Sequence, residues 1–155
     1  MRDSIWKCML DADMNSRYWK LLANKMANKE KKIKIFLAII ASTTVASWGV
    51  WVQHDYIWKF LSACSAIVSV ALPILNYPSK IENMTLLAGH WGSLRIKYED
   101  LWTEANHVND ENLIKRTYSE LREVESTLQI KESNFGEDKK LLKKCQEDVI
   151  ISRGI

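Results

Sequence analysis

Residues capable of chemistry are scattered along this chain. His54, His90 and His107 fall in three different segments without metal-ligand spacing, and Cys8, Cys64 and Cys145 are too far apart for a redox or zinc motif. All three cysteines are expected to be reduced thiols. No glycine-rich phosphate loop occurs. Trp91-Gly92-Ser93 lacks the surroundings of a nucleophile elbow, and Glu99, Asp100 and Glu104 read as the solvated face of a helix. No catalytic residue, metal site or cofactor is expected, and the chain is not read as an enzyme.

Hydroxyl and amide groups are better organised. Ser62, Ser65, Ser69 and Asn76 follow steps of three, four and seven, which places them on one face of a helix. Ser42, Thr43, Thr44 and Ser47 give the preceding apolar run a polar patch. Small hydroxylated residues let membrane helices approach and hydrogen-bond across the contact. The same stripe also suits the lining of a water-filled lumen, and Ser62, Ser65, Ser69 and Asn76 are the candidate pore-lining set. Two helices enclose nothing, so a lumen requires several copies. Pro73 removes one backbone hydrogen bond within the stripe's helix and is expected to kink it.

A third group pairs basic and aromatic side chains: Trp91, Arg95, Lys97, Tyr98, Lys115, Arg116 and Arg122. Such pairs hold phosphates and stack bases, which makes them a candidate nucleotide or oligonucleotide site. An ordinary solvated helix surface shows the same residues. The net charge of +3 is too small to announce nucleic-acid binding, and no duplex DNA is expected as a partner.

The elements that must position these groups are helical. Ile35 to Val52 and Phe60 to Tyr77 contain no Asp, Glu, Lys, Arg or His. Each reaches the roughly 18 residues that argue for a membrane span. A hairpin over 35–77 is therefore expected, with spans of about 35–52 and 58–77. Its link is so short that the spans must be antiparallel neighbours. Trp48, Trp51 and Trp58 lie near the turn, where aromatic rings settle at a membrane interface. Lys25, Lys29, Lys31, Lys32 and Lys34 crowd the entry to the first span against Glu30 alone. Basic residues beside a span stay in the cytoplasm, so both termini are expected inside. A buried soluble helical hairpin is the alternative. The apolar run begins too far from the N-terminus for a signal peptide.

Residues 1–34 read as an N-terminal amphipathic helix running into the first span, with Ile5, Met9, Ala12, Trp19, Leu22 and Met26 at helical spacing. After the second span Tyr77-Pro78 is expected to break the helix, and Ser79 to Glu82 matches a capping box that starts another. Residues 78–155 form a cytoplasmic helical region. Met84, Leu87, Trp91, Leu94, Tyr98 and Leu101 alternate in steps of three and four, a heptad seam able to join subunits or to pack within the chain. Asn106 to Asn112 reads as a turn. A further helix carries Ile114, Leu121, Val124 and Leu128. Asn134-Phe135-Gly136 carries a stop signal, and Glu137 to Ile151 a last helix with Leu141, Leu142, Cys145 and Val149 on its apolar side. The fold class is all-α: a membrane protein with a transmembrane hairpin.

This pattern resembles the SLATT family of bacterial two-helix membrane effectors. The resemblance rests on Asp11-Ala12-Asp13 and Arg17-Tyr18-Trp19 in the first helix, the lysine-rich run, the short link, and Trp91, Tyr98 and Leu101-Trp102 in the later helices. It implies a pore-forming effector of an anti-phage system, placed in the bacterial inner membrane and governed by a nucleotide signal from a partner nucleotidyltransferase. The chain has no fused sensing domain in view, so the signal would bind the cytoplasmic helices or act through a partner. The expected partners are the lipid bilayer, further copies of the chain (a tetramer) and that signal. A holin-like lysis protein and a non-conducting anchor that presents coiled-coil helices are the alternatives.

Overall fold

The computed structural model describes residues 1–46, 55–107 and 110–154, with the backbone alone at 41–46, 55, 57 and 58. These residues form five α-helices and no strand: α1 Arg2–Ala46, α2 Asp55–Leu75, α3 Tyr77–His107, α4 Glu111–Glu132 and α5 Lys139–Arg153. α1 contains neither Pro nor Gly, so nothing stops it between its polar first half and the apolar residues that follow. The expected turn with Trp48 and Trp51, and Val108-Asn109 of the later turn, lie outside the described residues.

The α2–α3 junction differs from the sequence expectation. The break falls at Asn76, which adopts φ 45°, a left-handed conformation that Asn tolerates better than most residues. Its N–H donates to the Pro73 carbonyl at 3.3 Å, and its own carbonyl accepts from Lys80 N–H at 3.2 Å. α3 thus starts at Tyr77. Pro78 sits in its first turn, where a missing N–H costs nothing. Ser79 is inside the helix, so the expected capping box does not form the start. The later caps follow the usual logic. Asp110 accepts from Leu113 N–H and Asp138 from Leu141 N–H. Gly154, at φ 68°, closes α5 in the left-handed conformation.

The chain divides into two compact units, Met1–Ala23 with Asn83–Ile155, and Asn24–Glu82. The boundaries expected at 34 and 78 were drawn at the ends of the apolar runs, whereas the first unit takes up the beginning of α1 as a packed helix. In that unit α3 runs antiparallel to α1: Trp6 meets Trp102 at 5.2 Å between ring centroids, and Ser16 Oγ donates to the Ala88 carbonyl at 2.9 Å. α4 returns alongside, with Tyr118 against Cys8 and Glu132 against Trp19. α5 begins beside Tyr18, whose hydroxyl accepts from Asp138 N–H, and ends with Arg153 at Asp13.

The core of the first unit consists of Ile5, Met9 and Ala12 from α1, the α3 stripe, Ile114, Leu121 and Leu128 from α4, and Cys145 and Val149 from α5. The α3 stripe is Met84, Leu87, Trp91, Leu94, Tyr98 and Leu101, every one of them buried. The seam expected to join subunits is therefore spent inside the chain, and the intrachain alternative is the one found. Buried side chains of this kind contribute roughly 1.5–3 kcal/mol each to the unit they close. On α4, Glu125 takes the buried place expected for Val124, which is 45% exposed.

Candidate functional site: the apolar helix and the buried carboxylates

Two features of the structure go beyond apolar packing within the chain. The first belongs to the second unit. Within the helical stretch Lys59–His107, interrupted at Asn76, lies a window of mean hydropathy 1.7, none of it buried inside the chain. By length and composition this is the one helix among the described residues able to cross a membrane. Phe60, Ile67, Val70 and Ile74 of α2 are 65–77% exposed. The hydroxyl stripe lies on this helix: Ser62 and Ser69 are exposed and Ser65 half-buried, with Asn76 exposed at the helix end. In α1, Ile35, Phe36 and Ile39 are also half-exposed while Ile40 is buried. The side chains of Ser42, Thr43 and Thr44 fall outside the described set, as does Ser47.

The basic and aromatic set does not converge. Trp91 and Tyr98 are fully buried and offer no ring face to a base. The cations pair along their own helices: Arg95 with Glu99 at 3.2 Å, Lys115 with Glu111 at 2.8 Å, Arg116 with Glu120 at 3.2 Å and Arg122 with Glu125 at 2.8 Å. Lys97 is exposed. The two aromatics of this set are core, and four of its five cations pair along their own helices.

The second feature is a series of carboxylates inside the first unit. Asp13 and Glu125 are buried. Asp13 receives Arg17 Nε at 2.9 Å and Arg153 Nη2 at 3.2 Å. Burial pushes its carboxyl up, but the two guanidiniums together outweigh it and leave the group below the usual carboxylate value. Glu125 accepts from Tyr98 Oη at 2.8 Å and is paired with Arg122. Burial and this carboxylate push the Tyr98 hydroxyl well above an ordinary tyrosine. Tyr118 is raised to about 12, chiefly through its contact with Cys8. Glu132 Oε1 accepts the indole N–H groups of both Trp19 and Trp91. Burial raises the Glu132 carboxyl, and the two indoles offset this only in part.

Sequence reasoning missed these carboxylates, although a signal was present. Ile114, Leu121, Glu125, Leu128 and Glu132 recur in steps of seven, four, three and four, so two acids stand on the core stripe of α4. Among the described residues no group of three or more His, Cys, Asp and Glu is placed to hold a metal ion. No protein-family model, curated protein or solved structure matches the chain.

Proposed function

We propose that the protein is an oligomeric, pore-forming membrane effector that depolarises the cell membrane as part of bacterial anti-phage defence. One observation supports this reading above the rest. An apolar helix of spanning length has none of its window buried in its own chain, and it carries hydroxyls on one face. Lipid would cover the apolar surface, and the apolar part of α1 would supply the second span. Ser62, Ser65, Ser69 and Asn76 would face the conducting path, because polar groups find no partner in lipid. The α3 seam is used internally, so the membrane helices must supply the contacts between copies, a tetramer being our choice. The lysine run before Ile35 supports cytoplasmic termini. Control by a nucleotide signal from a nucleotidyltransferase rests on the family resemblance, and the signal would act away from the buried Trp91 and Tyr98.

Single-channel recording of the purified chain in planar bilayers tests the proposal. The wild type is expected to conduct, and Ser69→Lys to insert, assemble and shift selectivity toward anions. A lysine facing lipid would instead cost at least ~2.5 kcal/mol and impair insertion. A chain that never conducts, with or without candidate nucleotides, would leave the anchor reading. That reading draws on the first unit, a self-contained helical body joined to an apolar helix. The holin-like reading predicts lysis when the chain is expressed with a cell-wall hydrolase.

A further inference from the structure

The lysines that precede the apolar part of α1 form a collar and not a stripe. Lys29, Lys31, Lys32 and Lys34 are all exposed. At about 100° per residue they spread over roughly 220° of the helix circumference. The remaining sector belongs to Ile33 and Leu37, which are half-buried, and to Ile40, which is buried. Glu30 lies in that packed sector too, with its side chain 14% exposed, and it pairs with Lys34 at 2.6 Å. It is the one acid of α1 beyond Asp13. Lys29, Lys31 and Lys32 form no ion pair among the described residues.

The height of the collar is as telling as its spread. From Lys29 to Lys34 the helix rises about 8 Å. The headgroup region on one side of a bilayer is about 5–8 Å deep. Ile35, Phe36 and Ile39 follow in the same outward sector, each about half exposed. The outward side of α1 thus changes from cationic to apolar within about one turn, as a bilayer changes from headgroup to hydrocarbon. A rigid partner reaches one side of a helix, whereas a lipid layer surrounds it. We infer that, on the membrane reading above, this collar binds the phosphate headgroups of anionic phospholipids in preference to zwitterionic ones. Unpaired lysines at the headgroup level gain from each added negative charge there, and the apolar sector that follows fixes the depth at which they are held.

The test uses the full chain reconstituted in phosphatidylcholine vesicles that carry a trace of spin-labelled phosphatidylglycerol or spin-labelled phosphatidylcholine. Electron spin resonance reads the fraction of each label immobilised at the protein. At low salt the phosphatidylglycerol label is expected to be favoured at least about threefold, with the preference falling toward one at about 1 M salt. Lys29→Gln, Lys31→Gln and Lys32→Gln made together should abolish the preference. Lys139→Gln, Lys140→Gln and Lys143→Gln, at exposed positions of α5, remove the same charge and should leave it unchanged. Equal immobilisation of the two labels overturns the inference while the membrane reading stands. No immobilised component with either label overturns both. An equal loss of preference in the two triple variants overturns the collar, because net charge alone would then suffice. Oligothymidylate that displaces the lipid label, and binds the wild type but not the α1 triple variant, would give these lysines to nucleic acid instead.

Discussion

Trp19 of α1 and Trp91 of α3 donate their indole N–H groups to the same atom, Oε1 of Glu132 at the end of α4. One carboxylate thus ties three helices of the first unit. Glu132→Leu leaves both indoles without an acceptor, at about 1–3 kcal/mol for each buried donor left unsatisfied. A fall in the thermal midpoint of the helical signal checks this. Glu132→Gln keeps an amide oxygen at the same place and should lose far less.

The same carboxylate gives a pH signature. Its folded-state value is raised because burial disfavours the charge. The ionised form therefore destabilises the fold above that raised value, and the penalty fades as pH falls toward the unfolded value. Relative to wild type, Glu132→Gln should be favoured most near pH 7, with the difference shrinking toward about pH 4. Denaturant titrations at several pH values read this out. A difference independent of pH would mean that the carboxyl is not desolvated.

Asp13 has the opposite sign. Arg17 and Arg153 hold its folded-state value down, so its stabilisation is present above the unfolded value and is lost as pH falls through the lowered one. Asp13→Asn should cost about 1–3 kcal/mol near neutral pH, a range reduced for the partial exposure of both arginines. The variant's deficit should shrink as acid protonates the wild type.

α1 and α3 pack closely at Gly92, where an added Cβ would stand 3.2 Å from Ser16 Oγ. That hydroxyl donates to the Ala88 carbonyl at 2.9 Å. In Gly92→Ala that hydroxyl must give by a few tenths of an ångström, and because its hydrogen bond resists the shift, a loss of up to about 1 kcal/mol is expected despite the better helix propensity of alanine. In the Ser16→Ala background the same substitution should cost less, a coupling visible in a double-mutant cycle.

Because the α3 seam is core, Leu94→Asp should unfold the first unit and not simply separate copies of an intact chain. An unpaired carboxylate at a position 2% exposed costs several kcal/mol. Loss of helical signal together with a changed size in detergent checks this, and Ile96→Asp, at a half-exposed neighbour, is the control that should keep both.

Much of the architecture was legible in the sequence. Hydrophobic periodicity placed α3 to α5 within a few residues, and the absence of Pro and Gly let α1 run on from its polar half. The α2–α3 break was misplaced by one local fact. Pro78 is harmless in a first turn, whereas Asn76, a residue type that tolerates the left-handed conformation, takes it and ends α2. The heptad of Met84 to Leu101 told which residues are buried but not against what, because the same spacing serves a neighbour copy and a neighbour helix alike. Glu125 and Glu132 stand on the core stripe of α4, where spacing alone does not separate a partnered acid from surface charge. Their partners are Tyr98, Trp19 and Trp91, distant in sequence, and Arg122 one turn away from Glu125.

The first unit is assembled from two segments that flank the second, Met1–Ala23 and Asn83–Ile155, and this fixes an order of events during synthesis. Ser16 and Ala88 are 72 residues apart. At about 5–20 residues per second, Ser16 waits roughly 4–14 s for its partner to be made. In that interval the whole apolar stretch is synthesised, while Ile5, Met9, Trp19 and Leu22 have no core to enter. On the membrane reading, insertion therefore precedes completion of the first unit, and the bilayer receives α2 before any folded body could hold it back. If the chain does insert, a delay would leave two unfinished apolar surfaces exposed at once, and its expression would then depend on prompt delivery more steeply than if the unit were encoded in one uninterrupted segment.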